Sequence, residues 1–239
     1  MSDVYIIVPC FNEEEGILPT LCALREAMPE SEIVAINDGS TDRTREKLDE
    51  LRDPKLTVVD LPYNMGIGAA VQTGLIYAAR AGAEYAVKFD GDGQHPAGEI
   101  GRLLDPIKRG EADFTTGSRF LEANDGFQST QTRRLGIYFF RFLSWILTGT
   151  SLTDSTSGFR AYNRRALVFA SRHYPAFDYP EPQESILFMR NRFRVLEVPC
   201  KMRSRQGGQS SIRPFKALYY MVKVSFAMII ERFRKCKEG

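Results

Sequence analysis

Two aspartates one residue apart, Asp90 and Asp92, carry the first hint of chemistry, in the stretch Phe89-Asp90-Gly91-Asp92-Gly93-Gln94-His95-Pro96. Carboxylates this close ionise together cheaply only when a cation joins them. Oxygen-only ligands suit Mg²⁺ or Mn²⁺, and Mg²⁺ typically takes one or two carboxylates together with substrate phosphates. Gly91 and Gly93 leave room for a bulky ligand beside the backbone. Residues 85–89 read as a short buried strand, and Pro96 suits the first turn of a helix carried by 99–108. The pair therefore falls at the C-terminal end of a strand, where open α/β sheets bind ligands. Taken alone, these eight residues are equally a polar turn with no metal. The rest of the chain argues for the site.

Three earlier turns repeat the plan. The run Val4-Tyr5-Ile6-Ile7-Val8-Pro9 is a buried parallel-type strand that Pro9 should end. In Cys10-Phe11-Asn12-Glu13-Glu14-Glu15, Asn12 can cap the helix bearing Ile17, Leu18, Leu21 and Leu24, and the glutamates favour that N-terminus. A strand over 32–37, the turn Asp38-Gly39-Ser40-Thr41-Asp42 and a helix over 43–51 follow. A third strand over 56–61 leads to Asn64-Met65-Gly66-Ile67-Gly68, which opens a helix through Ala79. Gly66 and Gly68 either cradle a phosphate or allow close helix packing. Strand, acidic or glycine turn, helix, strand is the pattern of an α/β, mostly parallel doubly-wound sheet flanked by helices. Four ligand-type turns at one sheet edge imply a shared ligand.

The second half differs in character. Residues 1–132 hold 12 Lys/Arg against 23 Asp/Glu, and 133–239 hold 20 against 7, within a net charge of only +2. That asymmetry points to an anionic partner for the second half, a membrane surface or a phosphate. A strand over 113–117 ends in Ser118-Arg119, and 121–132 read as a polar loop. Arg133-Arg134 introduce an apolar helix over 135–147, either buried or touching lipid. Residues 154–162 return as loop and strand, Pro180-Glu181-Pro182-Gln183-Glu184 precedes another helix, and 195–198 form a last strand. After a basic loop over 203–211, a helix over 212–236 carries a stripe of Ile212, Phe215, Leu218, Tyr219, Val222, Phe226, Ile229 and Ile230. Such a basic amphipathic helix suits a membrane interface, with packing on the domain or a dimer as the alternative. This divides the chain into 1–211 and a C-terminal helix, 212–239.

No run reaches the ~18 apolar residues of a transmembrane helix, and 4–8 is too short for a signal peptide. Cys10, Cys22, Cys200 and Cys236 lack metal-ligand spacing and read as reduced thiols of a cytosolic protein. The basic tail lacks interleaved stacking residues, which argues against a nucleic-acid partner.

Taken together, the chain resembles glycosyltransferase family 2, with the GT-A fold. The resemblance covers about residues 3–211 and rests on Val8-Pro9-Cys10-Phe11-Asn12-Glu13, Asn37-Asp38-Gly39-Ser40, Asn64-Met65-Gly66-Ile67-Gly68, Asp90-Gly91-Asp92 and Ser157-Gly158-Phe159-Arg160, in the family's order. It implies that Pro9, Glu13 and Asp38, with Asn12 beside them, hold the base and ribose of a UDP-, GDP- or dTDP-linked sugar. It also implies that Asp90 and Asp92 hold Mg²⁺ or Mn²⁺ on the diphosphate, with Gln94 a further ligand. Asn37 stands where many members carry Asp. Within the family the dolichol-phosphate mannosyltransferase and polyprenyl-phosphate glycosyltransferase branch is nearest, on Asp92-Gly93-Gln94-His95-Pro96, Gly117-Ser118-Arg119 and the loop 205–211.

Two acceptors then make different demands. A lipid phosphate, with a second pKa near ~6, arrives as an oxyanion and needs cations rather than a base. Arg119, Arg133, Arg134, Arg160 and Arg205 are the candidates, Arg119 foremost. A sugar hydroxyl on a lipid-linked glycan needs a carboxylate base, for which Glu184 and Glu181 are candidates unless they only favour a helix N-terminus. The expectation is inverting, metal-dependent transfer to a polyprenyl phosphate, by a protein held peripherally on the cytoplasmic membrane face. A homo-oligomer or a small membrane-protein partner fits the same tail.

Overall fold

Val4–Cys10 (β1) is buried at all seven positions, as an apolar run paired on both edges must be. The computed structural model describes residues 3–91, 93, 95–121, 131–175, 180–201, 214–234 and 236; for 131–135, 137 and 214–220 it describes the backbone only. β1 pairs in parallel with β2 (Glu32–Asn37) and β4 (Tyr85–Lys88), and β2 with β3 (Leu56–Asp60). β6 (Arg160–Asn163) runs antiparallel to both β4 and β5 (Phe114–Ser118), and β7 (Val195–Pro199) is parallel to β5. The seven-stranded order is β3-β2-β1-β4-β6-β5-β7.

The reversed strand matters for the site. β6 enters the sheet at the edge where β4 leaves it, so Arg160 pairs with Lys88. Pro9 does not end β1: the β4 ladder stops at Ile7↔Lys88, so Pro9 lies past it and its missing N–H disturbs nothing there.

One face of the sheet is covered by α1 (Ile17–Ala27), α2 (Thr44–Glu50) and α4 (Ile100–Lys108), through Leu21, Leu24, Leu48, Ile100 and Leu103. The other is covered by α3 (Ile67–Arg80), α6 (Arg164–His173) and α7 (Glu181–Arg190), through Val71, Leu75, Leu167 and Phe188. Each such side chain contributes about 1.5–3 kcal/mol when fully buried. The helix α6 was not anticipated. Its signals are ordinary: Asn163 caps it by accepting from the Ala166 N–H at 2.8 Å, and Ala166, Leu167 and Ala170 are buried.

α5 (Gln131–Thr148) and α8 (Pro214–Phe233) form an outer layer on α7. Phe140, Ile186, Val224 and Met228 are buried between them, with Leu143, Leu147, Met189 and Met221 around. Arg190 Nη1 donates to the carbonyls of Glu231 and Arg234, and Arg234 Nη1 to that of His173, pinning the end of α8. Of the predicted stripe, Ile212 and the side chains of Phe215, Leu218 and Tyr219 lie outside the described residues, and the described half is not the packing seam. Val222, Phe226, Ile229 and Ile230 are exposed, as is Phe233, and on α5 Tyr138, Phe139, Phe142, Trp145 and Ile146 are exposed too. Among the described residues no helix is long and apolar enough to cross a membrane.

Candidate active site

The turns after β1, β2 and β3 are stitched into one surface. Asn12, in the left-handed region at φ +54, donates its N–H to Ser40 Oγ (3.1 Å) and accepts from the Thr41 N–H (2.9 Å). The Glu13 N–H donates to Thr44 Oγ1 (2.8 Å), and Glu14 Oε2 accepts from the Arg43 N–H at the head of α2 (3.1 Å). Asn12 therefore does not cap α1, whose N-cap is Gly16, and Glu14 serves α2 instead. The reversal of the chain at Asn12 turns its side chain across to the second turn.

Asp38 is buried and accepts from the Met65 N–H on Oδ1 (2.7 Å) and the Gly66 N–H on Oδ2 (2.9 Å). It shapes the glycine turn, where Gly66 needs φ +90 and Gly68 is buried in the first turn of α3. Asn37 has a local reason. Its amide donates to Asp60 Oδ1 at 2.8 Å, a place where a second carboxylate would repel.

Asp90 stands at the end of β4, partly exposed. His95 Nε2 lies 3.1 Å from Oδ2, and Lys88 Nζ lies 3.8 Å from Oδ1. Burial opposes its charge, but Lys88, the His95 hydrogen bond and Arg160 outweigh burial and hold the carboxyl well below its ordinary value. Gly158 is required beneath it, because a Cβ there would collide with Asp90 Oδ2. An ionised, partly exposed carboxylate with a glycine cradle fits a divalent cation. Asp92 and Gln94 lie outside the described residues, and among those described no group of three acidic, His or Cys residues could hold a metal.

The cations and the base expected for the acceptor are placed differently. Arg160 is fully buried: Nη1 donates to Glu184 Oε2 (2.7 Å), Nε to the Ser157 carbonyl (2.8 Å), and Nη2 to the carbonyls of Glu181 (2.7 Å) and Ser155 (3.2 Å). It is a structural ion pair and not a phosphate ligand. Glu184 is equally buried, lies in the first turn of α7 and also accepts from the Tyr162 hydroxyl at 2.8 Å, so both its oxygens are taken. Burial raises its pKa against the pull of Arg160. Arg119, expected on the acceptor, is bidentate to buried Asp154, Nε at 2.6 Å and Nη2 at 2.7 Å. Arg133 and Arg134 lie in the first turn of α5 with side chains outside the described residues, and Arg205 lies outside altogether.

Lys88 went unnoticed in the sequence. It is fully buried, 2.7 Å from Glu181 Oε1, beside Arg160 on the same sheet face. The signal was there: a lone lysine at the end of an apolar strand, two residues before an acid, needs a buried partner.

A sequence model described as Glycosyl transferase family 2 matches residues 5–169, which contain all five motif stretches. The chain belongs to glycosyltransferase family 2. It is 28% identical over 247 residues to a UDP-N-acetylglucosamine--dolichyl-phosphate N-acetylglucosaminyltransferase of Methanococcus voltae, covering 95% of this chain and 98% of the relative. It is 31% identical over 230 residues to a polyprenol monophosphomannose synthase of Mycolicibacterium smegmatis, covering 92% and 84%. The fold matches glucosyl-3-phosphoglycerate synthase of Mycobacterium tuberculosis, solved with Mn²⁺, UDP and phosphoglyceric acid, at TM-score 0.72 and 20% identity over 100% of this chain and 81% of that one. This family 2 enzyme therefore has the GT-A fold, and the turns described above lie along one edge of its sheet.

Proposed function

We propose that this enzyme transfers one sugar from a nucleotide-sugar donor to a polyprenyl phosphate, with inversion, at the cytoplasmic membrane face. The observation that carries the reading is the state of the carboxylates. Glu184 is locked by Arg160 and Tyr162, and Glu181 holds Lys88, so neither is offered to a hydroxyl acceptor. A phosphate monoester is already an oxyanion at neutral pH and needs no base. Its charge falls to Arg133, Arg134 and Arg205, the first two at the N-terminus of α5, where a helix favours anions. Both relatives named above carry a dolichyl-phosphate or polyprenol-phosphate acceptor or product in their names.

On the donor side, Pro9, Asn12 and Glu13 line the first turn, and Asp38 holds the turn of Gly66 and Gly68 in shape. Asp90, with Asp92 and Gln94, would hold Mg²⁺ or Mn²⁺, which when bound neutralises charge on the departing nucleoside diphosphate. The chain's own part is to keep Asp90 ionised and oriented by His95, Lys88 and Gly158.

The test is release of UDP, GDP or dTDP from each donor, with a short polyprenyl phosphate or a lipid-linked saccharide as acceptor. The phosphate should support turnover with one donor, and the saccharide should not. Turnover confined to the saccharide would overturn the reading and restore sugar-to-sugar transfer.

The outward faces of α5 and α8 supply the membrane contact in this proposal, since contiguous exposed apolar patches mark interaction sites. Phe226 and Ile230 are 63% and 65% exposed, so Phe226→Asp/Ile230→Asp should leave the fold intact. The variant is expected to remain in the supernatant when anionic liposomes are pelleted, and the wild type to sediment. High salt should weaken wild-type binding, because each basic residue near the surface contributes about 1 kcal/mol. Equal sedimentation of both proteins would remove this face from the account.

A further inference from the structure

Asp90 has one oxygen answered and one open. His95 Nε2 reaches Oδ2 at 3.1 Å, and the imidazole is held by stacking on Phe159, 4.9 Å between centroids, with Phe89 edge-on. Oδ1 has no hydrogen-bond partner among the described residues, and Lys88 Nζ stops 3.8 Å from it, beyond hydrogen-bond reach. Two carboxylates compete for this buried ammonium, and Glu181 takes it at 2.7 Å. Glu181 is itself fixed as the first residue of α7, its carbonyl accepting from Arg160 Nη2 and Ser185 Oγ.

We propose that Glu181 is a positioning residue that holds the Lys88 ammonium off Asp90, so that Asp90 Oδ1 stays open to a divalent cation. This rests on the metal reading given above. Without Glu181, Asp90 is the one carboxylate left within 4 Å of the ammonium among the described residues, Glu184 acting on it only from farther off. A short shift then sets Lys88 on the same oxygen that a cation would use, and ammonium and dication exclude each other by charge. A carboxylate at the head of α7 thereby acts on the donor side of the cleft rather than on the acceptor.

Mn²⁺ binding to the full chain without donor, followed by the electron paramagnetic resonance of free Mn²⁺, gives a readout independent of turnover. Glu181→Ala is expected to raise the Mn²⁺ Kd by about tenfold or more, the scale of lost outer-shell support. Lys88→Met/Glu181→Ala removes the competing cation and should return the Kd to within about threefold of wild type, a coupling that independent sites do not show. Should Glu181→Ala fail to fold, Glu181→Gln keeps the size, loses the charge and carries the same comparison with its own Lys88→Met double variant. An unchanged Kd in the single variant, or a double variant as weak as the single, overturns the proposal. A wild type that binds no Mn²⁺ would instead bring down the metal reading itself, and this inference with it.

Discussion

Asp90→Asn is expected to lower transfer by about 10²–10³-fold or more, the loss seen when one preorganised electrostatic group is removed from a charged transition state. The substitution keeps the shape at the end of β4 and leaves an amide oxygen for His95. What it removes is the charge beside the Lys88 ammonium and above Gly158. Lys88 keeps Glu181 as its counter-ion, so the melting temperature should change little while turnover falls. Asp92→Ala is expected to behave alike. Excess EDTA should reproduce the loss in wild type, and Mn²⁺ or Mg²⁺ should restore it. Full turnover in excess chelator would remove the metal from the mechanism.

Arg160→Ala is expected to cost about 3–5 kcal/mol of stability, because it leaves Glu184 charged, buried and without its cation. For a domain of this size that corresponds to a fall in melting temperature of roughly 6–20 °C. Glu184→Gln should follow in the same direction. It keeps one acceptor oxygen for the two donors, Tyr162 and Arg160, sets an NH2 against the other, and leaves the guanidinium uncompensated with the Ser155, Ser157 and Glu181 carbonyls as its remaining partners. Differential scanning calorimetry and turnover measured on the folded fraction separate the two roles. A Glu184→Gln protein that melts like wild type and loses about 10²–10⁴ in turnover would make Glu184 a general base after all. That outcome would move the acceptor from a phosphate to a hydroxyl.

Much of the fold was legible in the sequence because its signals are local. Each βα step announces itself by an apolar strand, a turn of Asn, Asp or Gly, and a helical period, as in Val4–Cys10, Asn12 and Ile17–Ala27. Family membership was legible for the same reason, since its motifs sit at strand ends that the period locates. α6 was missed although its cap Asn163 is an ordinary signal, because Arg164 and Arg165 mask the apolar spacing of Ala166, Leu167 and Ala170.

The sequence by itself determined an α/β chain with acidic and glycine turns at one sheet edge, a carboxylate at Asp90 and a basic, apolar second half. Only the tertiary structure decided which charges are spent inside. Arg160, Arg119, Glu184 and Glu181 read on paper as acceptor cations and bases, yet each is held in a buried or half-buried ion pair. The physical reason is that a charge's role depends on its partner and its solvent, and those partners lie far away in the chain. Arg160 meets Glu184, Arg119 meets Asp154, and Lys88 meets Glu181 only after β6 reverses and α7 docks. The orientation of α8 was settled in the same way. Met221, Val224 and Met228 pack on its neighbours, so Val222, Phe226, Ile229 and Ile230 of the predicted stripe are left facing outward.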